Sequence, residues 1–211
     1  MKVAIIDYGS GNLHSAAKMF ERVAEITGHS VVVTDNVFEV KTASHIVLPG
    51  VGAFADCMAG IRAVPHLLET LHEQVLERGK PFLGICVGMQ LLAERGFENG
   101  EHPGLGWLEA EVVKITPDDP SLKIPHMGWN ELEITGAHPI VSGLTDHDHA
   151  YFVHSYAMRC ADVSDVMAEV GYGGKITALV ARENIMGTQF HPEKSQKTGF
   201  KVIGNFLGME G

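Results

Sequence analysis

A cysteine between two glycines, Gly84-Ile85-Cys86-Val87-Gly88, is the stretch best suited to covalent chemistry in this sequence of 211 residues. It repeats, with sulfur for oxygen, the pattern of a nucleophile elbow. A strand ends, the chain reverses sharply, and the nucleophile is left exposed where the next helix begins. The flanking positions must lack bulk because neighbouring backbones approach closely there. The dipole at a helix start favours thiolate over thiol, and the thiolate is the reactive form. A lone cysteine in an apolar run is commonly a buried structural one. The paired glycines argue for the nucleophile instead.

A thiolate nucleophile needs a base, and the base needs an orienting group. Thr188-Gln189-Phe190-His191-Pro192-Glu193-Lys194-Ser195 holds both. Pro192 pushes His191 toward an extended conformation, in which residues i and i+2 point the same way. Glu193 can then reach one imidazole nitrogen while the other faces Cys86. A loop histidine beside a solvated glutamate is the bland reading of this triplet alone; the elbow outweighs it. Acyl transfer also calls for donors to a developing oxyanion. Pro49-Gly50-Val51-Gly52 can turn its N–H groups toward a ligand, and Val87 N–H, just after the nucleophile, is the second donor. Gln90 lies four residues after Cys86, on the same helical face. It can line the pocket, although an exposed helix glutamine is the commoner case.

The elements that must position these groups follow from periodicity. Val3–Ile6 is a β-branched apolar run, the mark of a strand buried on both faces. After the loop at residues 7–12, apolar residues from Leu13 to Ala24 recur at helical spacing, closed by Gly28. Residues 31–33 and 45–48 read as strands, 53–62 and 65–77 as helices with Pro65 in a first turn, 82–85 as a strand and 89–93 as part of a helix. Strand–helix alternation at these lengths predicts a parallel sheet, whose ligands bind beyond the C-terminal strand ends. Residues 9–12, the Pro49–Gly52 loop and Cys86 all fall at such ends. After Gly100 the texture becomes strand-like, at 108–115, 128–134, 150–155, 166–171 and 176–180. Gly173-Gly174 and Glu183-Asn184 read as hairpin turns. The last stretch, 197–207, is a closing helix. The expectation is one α/β domain over residues 1–211: a mostly parallel central sheet flanked by helices, with an antiparallel or mixed strand region added to it.

Composition sets outer limits. Hydrophobic residues make up 45% and charged residues 20%, as in an ordinary globular protein. A formal net charge of −10 argues against nucleic acid or an anionic membrane as the main partner. Three cysteines, Cys57, Cys86 and Cys160, are an odd number without a CxxC, which points to a reducing cytosol. The apolar run before Asp7 is too short for a signal peptide, and no later one reaches transmembrane length.

Gly84-Ile85-Cys86-Val87-Gly88-Met89-Gln90, with His191-Pro192-Glu193 and a candidate oxyanion loop after the third strand, resembles the class I (triad) glutamine amidotransferases over nearly the whole chain. Asp7–Ser15 (DYGSGNLHS), PGVG at 49–52, PHMGWN at 125–130, YFVHSY at 151–156 and HPEKS at 191–195 narrow it to members that serve a (β/α)8-barrel cyclase in histidine biosynthesis. The resemblance implies a flavodoxin-like fold, a Cys86–His191–Glu193 triad and glutamine as substrate. It further implies Gly50, Val51, Gly52, Val87, Gln90, Ser155 and Tyr156 around the substrate, and ammonia delivered to the cyclase. Asn12, Met127, Trp129, Tyr151 and Lys194 are the expected partner contacts. Trp129, flanked by Gly128 and Asn130, suits an interface anchor, although a core tryptophan closing the added sheet fits composition equally well. Val87 stands where relatives commonly carry leucine, a conservative change. Val51 is β-branched and stiff, poorly suited to φ > 0. That suggests a free chain with this peptide turned away from the site until a partner is loaded.

No cofactor or metal is expected. Gly9-Ser10-Gly11-Asn12-Leu13-His14 has a histidine at the third glycine of a dinucleotide fingerprint. Asp146-His147-Asp148-His149 reads as a solvated loop rather than a ligand set. Cys57 and Cys160 read as structural. A non-enzymatic flavodoxin-like binding module is the contrasting class, and the His-Pro-Glu triplet speaks against it. The glutaminase of pyridoxal phosphate synthase is the contrasting enzyme, and PHMGWN speaks against that.

Overall fold

The computed structural model describes residues 1–210. Its first half alternates as expected: β1 (Lys2–Ile6), α1 (Leu13–Thr27), β2 (Ser30–Thr34), α2 (Val37–Thr42), β3 (His45–Gly50), α3 (Phe54–Ala63), α4 (Leu67–His72) and β4 (Phe82–Cys86). β1, β3 and β4 are largely apolar because helices cover both sheet faces; Val3 to Ile6 and Ile46 to Leu48 are wholly buried. α1 lays Phe20, Val23 and Ala24 on the sheet and ends at Gly28, whose φ of 73° is the left-handed conformation glycine supplies.

Two helices depart from the sequence reading. Pro65 lies outside its helix: His66 takes φ 61°, α4 starts at Leu67, and residues 73–77 continue it as a π-helical turn. Behind the elbow, α5 (Val87–Gln90) is a single turn rather than a helix running to Ala93. The carbonyls that would continue it are taken elsewhere: Leu91 O accepts from Leu105 N, Leu92 O from Trp107 and Leu108 N, and Ala93 O from Gly106 N. Ala93 therefore opens a strand. α2 has no strong periodicity to announce it in the sequence; the Asn36 side chain caps it by accepting from Phe38 N.

The second half is β5 (Ala93–Gly96), β6 (His102–Pro103), β7 (Leu108–Lys114), β8 (His126–Glu131), β9 (Glu133–Ile134), β10 (His149–His154), β11 (Tyr156–Cys160), β12 (Val166–Gly171), β13 (Lys175–Arg182), β14 (Ile185–Thr188) and α6 (Gln196–Leu207). The main sheet has the order β2-β1-β3-β4-β14-β13-β12-β9. β2, β1, β3, β4 and β14 run parallel, and β13, β12 and β9 extend the sheet antiparallel. The added strands thus join the sheet only in part; the rest form a β10–β8 ribbon and a four-stranded sheet β11-β7-β5-β6. Both expected hairpin turns occur, at Gly173-Gly174 between β12 and β13 and at Glu183-Asn184 between β13 and β14. β14 is the consequential addition. It slots beside β4, pairing Gly187 with Gly84, and so carries the chain after Thr188 up to the elbow. Among the described residues no helix is long and apolar enough to cross a membrane.

Candidate functional site

The elbow is built as its glycines require. Cys86 ends β4 with φ 56° and ψ −110°, a strained conformation for a residue with a side chain. A Cβ on Gly84 would run into the Gly88 backbone, and one on Gly88 into the Leu48 carbonyl of β3. β3 also registers Gly50 opposite Cys86, which sets the Pro49–Gly52 loop against that residue. Because α5 is only one turn, the sharp reversal itself, rather than a long helix dipole, is what presents the sulfur.

His191 follows β14 in extended backbone, φ −94° and ψ 101°, as Pro192 demands. Its Nδ1–H donates to Glu193 Oε1 at 2.9 Å, and both side chains are almost fully buried. Glu193 Oε2 is buried without a hydrogen-bond partner, so this carboxylate is compensated chiefly through the imidazole. Burial disfavours the imidazolium, but the Cys86 sulfur and the Glu193 carboxylate outweigh it and push the His191 pKa up to about 9. The loop is pinned from behind. His191 N donates to Tyr151 O, Ser195 Oγ donates to His191 O, and Tyr151 N donates to Ser195 Oγ.

Cys86 and His191 line one cavity of about 370 Å³ with Val51, Gly52, Val87, Gln90, Ser155 and Tyr156. Gly50 sits behind the wall rather than in it, packed against the elbow. Gln90 is buried, not exposed, and its Nε2 donates to Tyr156 O and to Gln189 Oε1 at 2.9 and 3.0 Å. Gln189 is a site residue that sequence reasoning passed over; its Nε2 points at Cys86 Sγ from 3.8 Å. The signal was available, since Gln189 and His191 alternate on one face, but only if 185–188 had been read as a strand. Glu98 and His154 also line the cavity. His154 belongs to a buried chain of neutral donors: Asn130 Nδ2 to His126 Nε2, His126 Nδ1 to His154 Nε2, and His154 Nδ1 to Tyr156 O. Burial lowers the pKa of both histidines to about 4.

The expected partner residues divide. Met127 and Trp129 project outward from β8, 60% and 48% exposed, so Trp129 is not a core residue. Trp129 meets Tyr151 edge to face at 6.0 Å, and Lys194 Nζ lies 5.6 Å from the Tyr151 ring centroid. These four form one patch beside the site. Asn12 stands at the start of α1, a helix that packs against the 192–194 turn carrying Lys194. Elsewhere, Asp146 Oδ1 accepts from Ile134 N, and Asp148 takes Thr145 N and Lys201 Nζ, so that acidic run fastens β9 and α6.

Comparison with known proteins bears on this geometry. Residues 4–208 match the family described as glutamine amidotransferase class-I. The chain is 55% identical over 210 residues to the imidazole glycerol phosphate synthase subunit HisH of Rhodospirillum rubrum, covering 98% of each. It is 55% identical over 212 residues to the protein of the same name from Agrobacterium fabrum, again covering 98% of each. A solved glutamine amidotransferase superposes with a TM-score of 0.74 at 19% identity, covering 98% of this chain and 99% of that one. Another, from Thermotoga maritima, gives 0.66 at 18%, covering 96% and 80%. At such identities the solved structures speak to fold alone.

Proposed function

The chain belongs to the class-I glutamine amidotransferase family, and from that premise we infer that it is the glutamine-hydrolysing subunit of imidazole glycerol phosphate synthase, an enzyme of histidine biosynthesis. The observation that carries the chemistry is the buried His191–Glu193 pair beside a strained cysteine in one cavity.

Cys86 attacks the side-chain amide carbon of glutamine. His191, with Nδ1–H held by Glu193, offers Nε2 to the reacting atoms and passes a proton to the departing ammonia. The γ-glutamyl thioester is hydrolysed by water that His191 deprotonates, releasing glutamate and freeing the Cys86 sulfur. The oxyanion of each tetrahedral intermediate is met by backbone N–H groups of Val87 and of the Gly50–Gly52 loop. Gln90, Ser155 and Tyr156 hold the substrate.

The other subunit is a cyclase, and we place it as a (β/α)8 barrel forming a heterodimer over Met127, Trp129, Tyr151, Lys194 and Asn12. Ammonia passes to it directly, because ammonia released to water protonates near neutral pH and loses its nucleophilic lone pair. There it reacts with a phosphorylated ribulosyl-formimino-carboxamide nucleotide. The products are imidazole glycerol phosphate and an aminoimidazole carboxamide ribotide. Glutamate release by this chain mixed with the cyclase, with and without its nucleotide, tests the assignment. Stimulation by the loaded cyclase is expected; a rate indifferent to it would contradict the reading.

A further inference from the structure

Gln189 follows β14 directly and is wholly buried, and both ends of its carboxamide meet residues of the site. The polarity of this arrangement is fixed by one atom. Tyr156 O is a backbone carbonyl, which only accepts, so the Gln90 atom 2.9 Å from it must be Nε2. The same nitrogen lies 3.0 Å from the Gln189 carboxamide and donates to it, so the Gln189 atom facing it must be Oε1. That leaves Gln189 Nε2 to face Cys86 Sγ, at 3.8 Å. A carbonyl at the start of β11 thus orients first Gln90 and then Gln189. The series ends with an N–H aimed at the reacting sulfur.

We propose that Gln189 is a further catalytic residue, whose carboxamide N–H stabilises negative charge on the Cys86 sulfur. The proposal rests on the glutaminase reading above. A thiolate accepts a hydrogen bond better than a thiol or a thioester sulfur does. The donor therefore acts at two moments. It favours the thiolate that attacks the amide carbon, the Cys86 proton having passed to His191 Nε2. It favours the thiolate again when water has added to the thioester, the C–S bond breaks and its electron pair returns to sulfur. Gln189 gives up no proton in either step. The titratable groups around the sulfur come from several elements. His191 faces it across the cavity. Tyr8 and Cys57, bonded to Pro49 O and Val51 O, are held neutral by burial. His154 on the cavity wall is neutral too. Glu98, on the same wall, accepts from Phe54 N at 2.9 Å. Gln189 adds to the His191 imidazolium a donor that does not titrate.

The test follows alkylation of Cys86 by iodoacetamide against pH in the complex with the cyclase, read by peptide mass, beside glutamate release from glutamine. Gln189→Glu keeps the oxygen that accepts from Gln90 and replaces the donor by a carboxylate. Gln189→Met removes both. In each variant the alkylation midpoint should rise by about one pH unit or more, and kcat of the nucleotide-loaded complex should fall roughly tenfold. KM for glutamine should change little in Gln189→Glu, because Gln90 keeps its anchor. Damage to packing alone would lower the active fraction without moving the alkylation midpoint. Should neither variant fold, the unmodified chain decides. The Gln189 side-chain N–H proton signal should shift as Cys86 titrates, and a signal indifferent to that titration overturns the proposal. An alkylation midpoint unmoved in both variants also overturns it, with the glutaminase reading intact. A loaded wild-type complex that releases no glutamate overturns the glutaminase reading, and the role of Gln189 with it.

Discussion

His191 donates to Glu193 across 2.9 Å in a setting where neither side chain meets bulk water, and the second carboxylate oxygen has no hydrogen-bond partner. The imidazolium is the compensation for that buried charge. This sets the proton inventory of the site at neutral pH: His191 stays protonated well above the ordinary value of 6.5, up to about 9.

The first prediction concerns alkaline pH. As pH rises through about 9, His191 loses the proton that the leaving ammonia needs, so kcat/KM of the loaded complex should fall there. The linked stability has the same sign. The folded state holds this proton more tightly than the unfolded state, so the contribution is complete below 6.5 and lost as pH passes about 9. Glu193→Gln should shift the alkaline limb toward neutral pH. A limb unmoved by that substitution would remove Glu193 from the role given to it.

Acid should act through different residues. His126 and His154 are held neutral, with values lowered to about 4 from 6.5. Between those values the unfolded chain binds more protons than the folded one, so stability present above 6.5 drains as pH falls toward about 4. Urea midpoints of the free chain should drop markedly between pH 7 and pH 5. His154→Asn should flatten that slope, and an unchanged slope would count against the buried histidine chain.

The elbow glycines should differ from other glycines. Gly88→Ala pushes a methyl into the Leu48 carbonyl and should cost several kcal/mol or leave the chain insoluble. Gly28→Ala faces open space at φ 73° and should cost only about 1 kcal/mol, the strain of a left-handed residue. Denaturant titration of the two variants checks the ranking, and equal costs would contradict the close approach.

Trp129→Ala should leave the thermal midpoint of the free chain within a degree or two, because the residue is already 48% exposed. The same change should weaken binding to the cyclase by about 2 kcal/mol or more, as expected of an aromatic anchor. Titration calorimetry gives both partners' answer directly. A destabilised free chain with unchanged affinity would return Trp129 to a structural role.

Much of this site was legible in sequence because its logic is local. Two glycines two residues either side of a cysteine, and a carboxylate two residues beyond a histidine with proline between, specify backbone shape without help from distant segments. The parallel half of the sheet was legible for the same reason, through continuous apolar runs. What escaped depended on remote partners. α5 stops after one turn because residues 105–108 claim its onward carbonyls, and no periodicity reveals that. β14 is a four-residue strand with glycine inside it, too short and broken to announce itself, and with it Gln189 beside Cys86 stays hidden in the sequence. Ser10 sits in a stretch that fails as a nucleotide fingerprint, and its hydroxyl donates instead to Val51 O, 41 residues away.

The most direct test replaces Cys86 with alanine in the complex with the cyclase and follows cyclisation with either glutamine or an ammonium salt. Glutamine-dependent synthesis should vanish while ammonia-dependent synthesis proceeds near the wild-type rate. Retention of glutamine-dependent turnover, or loss of both activities in a complex that still assembles, would contradict Cys86 as the nucleophile that releases ammonia for the partner.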